Sequence, residues 1–518
     1  MTEAPHDFVS YCPNFLFMQT FPTVNRQAIV DMPAEAFRRV GHAMVDELAD
    51  FIENLPAGKV TNGVTPSSVR KLIGAENQLP EDGLDPARLV QQTISLLTKN
   101  SLFNGHPRFM GYITSSPAPL GAMADFIASL TNPNCGAFIL SPVATEIELQ
   151  CIRWLSDLIG YRKNAGGILV SGGNMANIAG LWAARKYMAN WDIREKGLGE
   201  PGLKFTLYAT SQVHTWLQKT ADLLGLGLQA IRWIPVGQDL RMDVTALDKQ
   251  LAIDKSNGLI PLAVVGTAGS VGFGTVDPLA EIAQVCQKHK TWFHIDGAYG
   301  GLAASLPELK DKFSGLEHAD SIAIDPHKWL YCPLEAGCLL VRDPNLLADA
   351  FSFHPTYYQF DKVGDETPVN FYEWGPQNSR GFRALKVWMV MQQAGANGIK
   401  SMIRDDISLA QQLYQELSNH KNLETFPGDL SITTFRYVPD KIPGDVLQKE
   451  EYLNQLNSNL LNLLQRGGEL FVSNTLLEGK YLLRSCIVNF RTSIEDIKAI
   501  PEIVIRYGRE AEKEMNAY

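Results

Sequence analysis

SIAIDPHKWLYCP, residues Ser321–Pro333, joins a short buried strand to a lysine in an unusual setting. Small and apolar residues alternate in Ser321–Ile324, which predicts the strand, and Pro326 then ends regular strand pairing. Lys328 follows directly, beside the aromatic residue Trp329. Because burial disfavours a charged ammonium, a lysine in this place can lose its proton and act as a nucleophile. A lone lysine after a turn is more often an ordinary surface residue, so the assignment depends on other segments.

A carboxylate is predicted at the end of a second strand, in TWFHIDGAYGG, residues Thr291–Gly301. The apolar residues Trp292–Ile295 predict the strand, and Asp296 and a glycine-rich turn follow it. Open α/β sheets bind their ligands at the carboxyl ends of strands. Asp296 is therefore a candidate ligand-binding residue, although an Asp before a Gly more often caps the next helix.

A candidate phosphate site is predicted in ILVSGGNMAN, residues Ile168–Asn177. The pattern predicts a strand, a glycine turn and a helix whose first backbone N–H groups, at Gly173 and Asn174, can bind a phosphate. So short a turn is weak support on its own. His214, in TSQVHTWLQKT after the predicted strand Phe205–Thr210, could stack on a flat ring or simply begin the next helix.

Taken together, these segments resemble the group II pyridoxal-phosphate-dependent decarboxylases, and most closely the aromatic L-amino acid decarboxylases. The similarity extends from about Pro33 to near the C-terminus, and DPHKW together with HIDGAYGG carries most of it. The resemblance implies an α/β fold of fold type I (aspartate aminotransferase-like), with a mainly parallel sheet. It also implies pyridoxal 5'-phosphate as the cofactor, an amino acid as the substrate, and a homodimer with the active site at the subunit interface.

The resemblance assigns four residues to the cofactor ring. It implies that Lys328 binds the cofactor covalently and that Asp296 keeps the ring nitrogen protonated, which makes the ring an electron sink. It places His214 over the ring, near the carboxylate that leaves, and Ala298 under the ring. No metal site is implied.

Three further residues, Gly173, Asn174 and His327, fall where the family holds the phosphate. Asp325 stands where animal relatives have Asn. An anion there needs a proton or a neighbouring cation, so we do not include Asp325 among the phosphate ligands.

The substrate side of the site is also implied by the resemblance. Tyr112 and Ile113 fall near the substrate side chain, although both could simply be core residues. Tyr357, in the loop FHPTYYQF, is the expected acid that protonates the product. Ser379 matches a position where plant relatives carry Gly in indole-preferring enzymes and Ser in phenol-preferring ones, which favours tyrosine- or dopa-like substrates. Asn134–Phe138 aligns with a segment that the partner subunit contributes in relatives.

Several functions stay open at this stage. The first is decarboxylation of an aromatic L-amino acid to the amine and CO₂. The alternatives are decarboxylation of an acidic amino acid such as glutamate, an aromatic aldehyde synthase, and a scaffold that kept the fold without activity. The presence of Lys328, Asp296 and His214 argues against the scaffold.

The composition agrees with a globular enzyme. The 518 residues are 45% hydrophobic and 20% charged, and their net charge of −10 argues against nucleic acid or an anionic membrane as a partner. The seven cysteines contain no CxxC pair, which predicts neither a disulfide framework nor a zinc site and favours a reducing cytoplasm. Neither a signal peptide nor a transmembrane helix is predicted.

Hydrophobic periodicity predicts three regions. Residues 1–117 contain amphipathic helices, one after Pro33 and one at about Pro86–Lys99, and are expected to form a helical dimerisation arm. Residues 118–390 alternate strands and helices and are expected to form the large cofactor-binding domain. Residues 391–518 are expected to form a small α+β domain. The other strands predicted are Gly167–Val170, Gln229–Val236, Pro261–Thr267, Gly337–Val341, Thr425–Tyr437 and Lys480–Asn489.

Overall fold

The chain contains two β-sheets in the computed structural model, which describes residues 28–198, 204–353, 365–442 and 446–516. The larger sheet consists of β1 (Gly166–Val170), β2 (Phe205–Thr210), β3 (Ile231–Ile234), β4 (Ile260–Thr267), β5 (Trp292–Asp296), β6 (Ser321–Ile324) and β7 (Gly337–Val341). The smaller sheet consists of β8 (Leu423–Phe426), β9 (Ile432–Tyr437), β10 (Ser473–Leu477) and β11 (Lys480–Cys486).

Helices cover and connect these sheets. They are α1 (Ala34–Asn54), α2 (Pro66–Ile73), α3 (Pro86–Asn100), α4 (Pro119–Thr131), α5 (Pro142–Leu158), α6 (Gly173–Met188), α7 (Ile193–Lys196), α8 (Trp216–Leu223), α9 (Val244–Ser256), α10 (Leu279–His289), α11 (Asn345–Phe351), α12 (Ala384–Ser418), α13 (Val446–Gly467) and α14 (Ile494–Asn516). None of the helices in the described ranges is long and apolar enough to cross a membrane.

The larger sheet is mainly parallel, as predicted. Its strand order is β1-β7-β6-β5-β4-β2-β3, and only β7 runs antiparallel to its neighbours β1 and β6. Every residue of β1, β2, β5, β6 and β7 is buried, which is the pattern of a sheet covered on both faces. The predicted α/β fold class is therefore confirmed, and the carboxyl ends of β4, β5 and β6 lie at one edge of the sheet.

Two predicted strands differ from the structure, and one strand of the structure was not predicted. The strand predicted at 229–236 is only β3, because a short 3₁₀ turn occupies Leu228–Ala230. The stretch predicted as one strand at 425–437 is two antiparallel strands, β8 and β9. Gly428 lies in the turn between them, where a Cβ would come within 2.3 Å of the carbonyl oxygen of Ile432. The strand β10 was not predicted.

The N-terminal helices leave their apolar faces largely uncovered. The two predicted helices are confirmed as α1 and α3, and α2 lies between them with Thr65 forming a capping box. No residue of these three helices is buried, although Phe37 stacks on Phe126 of α4 with ring centroids 6.2 Å apart. Among the exposed side chains are Val45, Ile52 and Leu97.

The domain boundaries stay a prediction. Residue 390 lies within α12, which runs through to Ser418 and is interrupted at Gly395, where φ is 60° and ψ is 169°. The larger sheet and the smaller sheet each have a separate cluster of buried side chains, exemplified by Ile322 and Phe435.

Candidate active site

A cavity of about 420 Å³ lies at the carboxyl ends of β4, β5 and β6 and at the start of α6. The predicted site residues that line it are Ile113, Gly173, Asn174, His214, Asp296, Ala298, His327 and Lys328. Sequence-distant segments therefore converge on one space. A larger cavity of about 780 Å³ lies elsewhere, lined by residues such as Thr291 and Asp320 that precede β5 and β6, and it contains none of the predicted site residues.

Lys328 is held in a short turn after β6. Its backbone N–H donates to the carbonyl of Asp325 (2.9 Å), and its Nζ lies 2.9 Å from Oδ2 of the same residue. Ser115 fixes the turn from outside, because its hydroxyl donates to the carbonyl of His327 (2.8 Å). Trp329 is fully buried behind the lysine. The ammonium is thus mostly enclosed at a strand end, as the sequence predicts.

Asp296, the last residue of β5, accepts two hydrogen bonds from the protein. The indole Nε1–H of Trp216 donates to Oδ2 (2.6 Å), and the backbone N–H of Ala298 donates to Oδ1 (3.2 Å). Both Asp296 and Trp216 are buried. Hydrogen bonds to a carboxylate favour its ionised form, so this arrangement suits a carboxylate that must stay charged.

A neutral histidine lies beside this pair. His294, two residues earlier on β5, is fully buried, and burial lowers its pKa to about 4. Its ring nitrogens lie 2.7 Å from Oγ of Ser321 and 2.7 Å from Oδ1 of Asn177. The indole ring of Trp216 meets the His294 ring edge-on, with centroids 5.8 Å apart. Packing therefore fixes the tryptophan whose N–H reaches Asp296.

The glycine turn between β1 and α6 brings backbone close to the cavity. Gly172 has φ of 125°, a conformation that side chains other than glycine rarely adopt. A Cβ on Gly173 would lie 2.6 Å from Oδ2 of Asp325 and 3.0 Å from Cβ of Ala298. No side chain caps α6, so the N–H groups of its first turn are available to an anion.

Comparison with protein families identifies this site. A family model described as the pyridoxal-dependent decarboxylase conserved domain matches residues 66–437. The chain belongs to this family. It is 32% identical over 477 residues to an aromatic-L-amino-acid decarboxylase of Bacillus atrophaeus, a match that covers 91% of this chain and 95% of the relative. It is 29% identical over 474 residues to tyrosine decarboxylase 4 of Petroselinum crispum, covering 90% of this chain and 92% of the relative.

A solved structure has the same fold. The crystal structure of Oryza sativa TDC with PLP and tryptamine superposes with a TM-score of 0.85 at 25% identity, covering 94% of this chain and 99% of that chain. The chain is therefore a fold type I decarboxylase, a carboxy-lyase that uses pyridoxal phosphate.

The residues of the cavity fit pyridoxal phosphate. The decarboxylase offers an ammonium at Lys328, a buried carboxylate at Asp296, and an uncapped helix start at Gly173 for the phosphate. The close contacts around Gly173 explain why a side chain there would fill the space that a phosphate needs. Asp325 does not favour a phosphate here, since it brings a negative charge close to Gly173 at the start of α6.

The two cavity histidines of the decarboxylase have pKa values below the ordinary value. His214 is accessible from the cavity, and partial desolvation is the largest cause that lowers its pKa, with Asp296 opposing it. Burial lowers the pKa of His327, with the Asp325 carboxylate opposing it and the Lys328 ammonium adding to it. Nδ1–H of His327 donates to the carbonyl of Ala336 (2.6 Å), so in the neutral ring Nε2 is a bare acceptor.

Two predicted residues, Tyr112 and Ser379, are not brought into the cavity of this decarboxylase chain. Tyr112 is exposed and packs against Phe471, with ring centroids 6.1 Å apart. Ser379 is exposed beside the segment 134–138, where Oδ1 of Asn134 accepts from the backbone N–H groups of Gly136 (3.1 Å) and Arg380 (3.2 Å). Tyr357 lies outside the described residues.

Sequence reasoning missed Trp216, which lines the cavity of the decarboxylase, and Asp406, which contacts the lysine turn from outside the cavity. Trp216 was not recognised, because nothing in HTWLQKT shows that its indole reaches Asp296. Asp406 was missed because it lies on α12, far along the chain. Its Oδ2 accepts from Nε1 of Trp329 (3.0 Å) and from the hydroxyl of Tyr331 (2.6 Å). Trp329 directly follows Lys328, and Tyr331 directly follows Leu330. The one sequence signal that could have indicated Asp406 is its place among the apolar positions of an amphipathic helix.

Proposed function

We propose that this decarboxylase converts an aromatic L-amino acid to the arylalkylamine and CO₂. The observation that carries the proposal is the convergence of Lys328, Asp296 and His214 with the glycine turn in one cavity of about 420 Å³. The similarity to an aromatic-L-amino-acid decarboxylase and a tyrosine decarboxylase supports the aromatic class.

Each residue around the ring has a task that its contacts support. Bound pyridoxal phosphate supplies an electron sink for the electron pair that remains when the carboxylate leaves. Lys328 would hold the cofactor covalently, and Asp296, oriented by its two hydrogen bonds, would hold a proton on the ring nitrogen. His214 lines the opposite wall and would orient the substrate carboxylate, while Ala298 would contact the ring from below.

Two further groups complete the proposed mechanism. Gly173 and Asn174 would bind the phosphate through their backbone N–H groups, and His327 would add a hydrogen bond from Nε2 when its ring is protonated. Tyr357 would give the proton that completes the amine, as the family resemblance implies. General acid catalysis of this kind contributes about 10²–10⁴-fold to a rate.

The charge of the cavity favours an aromatic over an acidic substrate. Among the described residues that line the cavity, Lys328 alone is a lysine or arginine, and it is reserved for the cofactor. The side-chain carboxylate of glutamate would therefore enter without a cationic partner, which is costly in a partly desolvated site.

A homodimer with its active site at the subunit interface is part of the proposal. The uncovered apolar faces of α1, α2 and α3 support it, because helices of this kind need a surface to cover them. Tyr112 and Ser379, both outside the cavity of their own chain, would then act in the partner's site. The described cysteines are free thiols buried in the fold, which supports a reducing cytoplasm.

One screen tests the proposed function. Purified protein loaded with pyridoxal phosphate is incubated with each of the twenty amino acids, and CO₂, amine, ammonia and peroxide are measured. We expect amine and CO₂ in equal amounts, with tyrosine or dopa preferred over tryptophan. Glutamate as the best substrate would contradict the aromatic class, and ammonia with peroxide in place of amine would indicate an aldehyde synthase.

A further inference from the structure

Asp325 is a buried carboxylate placed between the ammonium of Lys328 and the imidazole of His327. Its Oδ2 lies 2.9 Å from Nζ of Lys328 and 3.6 Å from Nε2 of His327. The residue is almost completely buried directly after β6. One carboxylate oxygen is therefore close to both the ammonium of the lysine and the bare nitrogen of the histidine.

The second oxygen of Asp325 has no partner. Oδ1 is buried without a hydrogen-bond donor among the described residues. It lies 3.1 Å from the position of a Cβ on Gly173, at the start of α6. An unpaired buried carboxylate oxygen costs free energy, so a structural role alone does not account for an Asp here. Asn would fit the same space without the charge.

We propose that Asp325 moves the proton that Lys328 must lose, and later regain, when the lysine forms or breaks its bond to the cofactor aldehyde. The inference rests on the proposed covalent role of Lys328. An ammonium has no free electron pair, so the lysine is a nucleophile only after a proton leaves it. The nearest described base to Nζ is Oδ2 of Asp325.

The step balances without an oxidant or reductant. Oδ2 takes one proton from the ammonium, and the lone pair that this frees forms a bond to the aldehyde carbon. A second nitrogen proton passes to the former carbonyl oxygen, and Asp325 returns the first proton to the same oxygen. Water then leaves as the C=N bond forms, and one proton stays on nitrogen. Asp325 ends as it began, so it acts as a general acid and base.

The surrounding charges suit this task. Lys328 and His327 face Asp325 from its own segment, His214 from the loop before α8, and the neutral thiol of Cys338 from β7. Glu335, further along the loop, acts on His327. The lysine cation contributes to the lowered pKa of His327. His327 is thus a weak competitor for the proton while the ammonium is present, which leaves Asp325 as the acceptor.

The rate of bond formation to the cofactor tests the proposal without any amino acid substrate. Cofactor-free protein is mixed with pyridoxal phosphate, and two signals are followed: tryptophan fluorescence for the first binding and visible absorbance for the C=N bond. For Asp325→Asn we expect the absorbance phase to slow by about 10²-fold. The first binding should be as tight as in the wild type or tighter, because a negative charge beside the phosphate is removed.

Two controls separate proton transfer from distortion of the lysine turn. Asp406→Asn changes another buried carboxylate, one on α12 that contacts the same turn from outside the cavity, and leaves Asp325 in place, so its absorbance phase should match the wild type. Asp325→Ala leaves a cavity in which added formate can act as the base. Its absorbance phase should accelerate with formate and not with chloride at equal ionic strength.

The outcomes are distinct. A wild-type rate in Asp325→Asn, an equal slowing in Asp406→Asn, or no response of Asp325→Ala to formate would overturn the inference. A wild-type protein that gives no absorbance change would instead contradict the covalent role of Lys328. The choice of amino acid substrate does not enter this measurement, so the proposed function can fail without affecting it.

Discussion

Lys328 is the residue on which the proposed chemistry depends. Its ammonium is held at a strand end next to buried Trp329, whereas Lys386 is paired with Asp125 (2.9 Å) away from the cavity. We expect Lys328→Ala to fold but to form no C=N bond with the cofactor. Borohydride reduction of the wild type followed by peptide mapping should place the label on Lys328; a label on Lys219 or Lys386 would refute the assignment.

Trp216 determines how Asp296 is held. A hydrogen bond from a neutral donor to a charged acceptor is worth about 1.5–3 kcal/mol, and Trp216→Phe removes the N–H while keeping an aromatic ring. We expect the affinity for pyridoxal phosphate and kcat to fall by roughly 10- to 100-fold, with KM for the amino acid little changed. Fluorescence titration and steady-state kinetics measure the three quantities.

Two comparisons show whether Trp216 acts through Asp296. Trp292→Phe is the matched control, because Trp292 is equally buried but its indole donates to Ser321 instead (2.8 Å). It should leave cofactor affinity unchanged. In the Asp296→Asn background, Trp216→Phe should have little further effect; additive losses would mean that the indole has only a packing role.

Spacing within the chain predicted the residues that follow strand ends, and it could not predict their partners. Lys328 and Asp296 were found because each follows an apolar run, which is a local pattern. The hydrogen bond from Trp216 to Asp296 joins residues 80 positions apart and depends on how α8 packs on β5. The unpaired oxygen of Asp325 is likewise a property of tertiary packing.

At the scale of elements, α12 supports the lysine turn through Asp406. This carboxylate is fully buried and accepts from Trp329 and Tyr331, with no cation beside it among the described contacts. Burial raises its pKa from 3.8 to about 7. The folded state therefore binds a proton here that the unfolded state releases between about pH 4 and pH 7.

The sign of the resulting pH dependence follows from this pKa. A carboxyl group with a raised pKa stabilises the fold below its unfolded pKa, and this contribution is lost as the pH rises through about 7. We expect the free energy of unfolding of the wild type to fall between about pH 4 and pH 7, on the order of 2–4 kcal/mol from this group. Asp406→Asn should flatten that slope in urea unfolding; an unchanged slope would show that Asp406 does not titrate there.

Periodicity predicted the buried strands and the amphipathic helices well, since both patterns are local. It failed at 425–437, where the turn signal of Pro427-Gly428-Asp429 was overlooked and the predicted stretch is two antiparallel strands. It also missed β10, because every residue of this strand after Ser473 is at least partly exposed and the pattern resembles a loop.

At the scale of the molecule, the proposed dimer predicts that two different inactive variants restore activity when they are combined in one dimer. Ser379 lies outside the cavity of its own chain, so Ser379→Trp should block the partner's site, while Lys328→Ala disables its own. A hybrid dimer of the two variants then has one intact site. We expect a reassociated 1:1 mixture to regain roughly a quarter of wild-type activity, since about half the dimers are hybrids.

The mixing experiment also distinguishes whether Ser379 acts in the site of its own chain or in the site of the partner. If Ser379 served its own chain, both sites of every hybrid would be damaged and no activity would return. Each variant is first mixed with itself, which should give no activity. Light scattering of the same samples measures whether dimers form.

The position of β7 in the larger sheet has a consequence for biosynthesis. Among the described strands, β1, which leads to the glycine turn, pairs only with β7, and β7 also pairs with β6, which leads to Lys328. On the ribosome β1 emerges early, yet its only neighbour emerges after the lysine has been made. The nascent chain must keep an apolar strand edge unpaired throughout that interval, which is when it is most prone to aggregate. The vitamin B6 cofactor can therefore be captured only once synthesis has passed Val341, and it arrives too late to guide the early stages of folding.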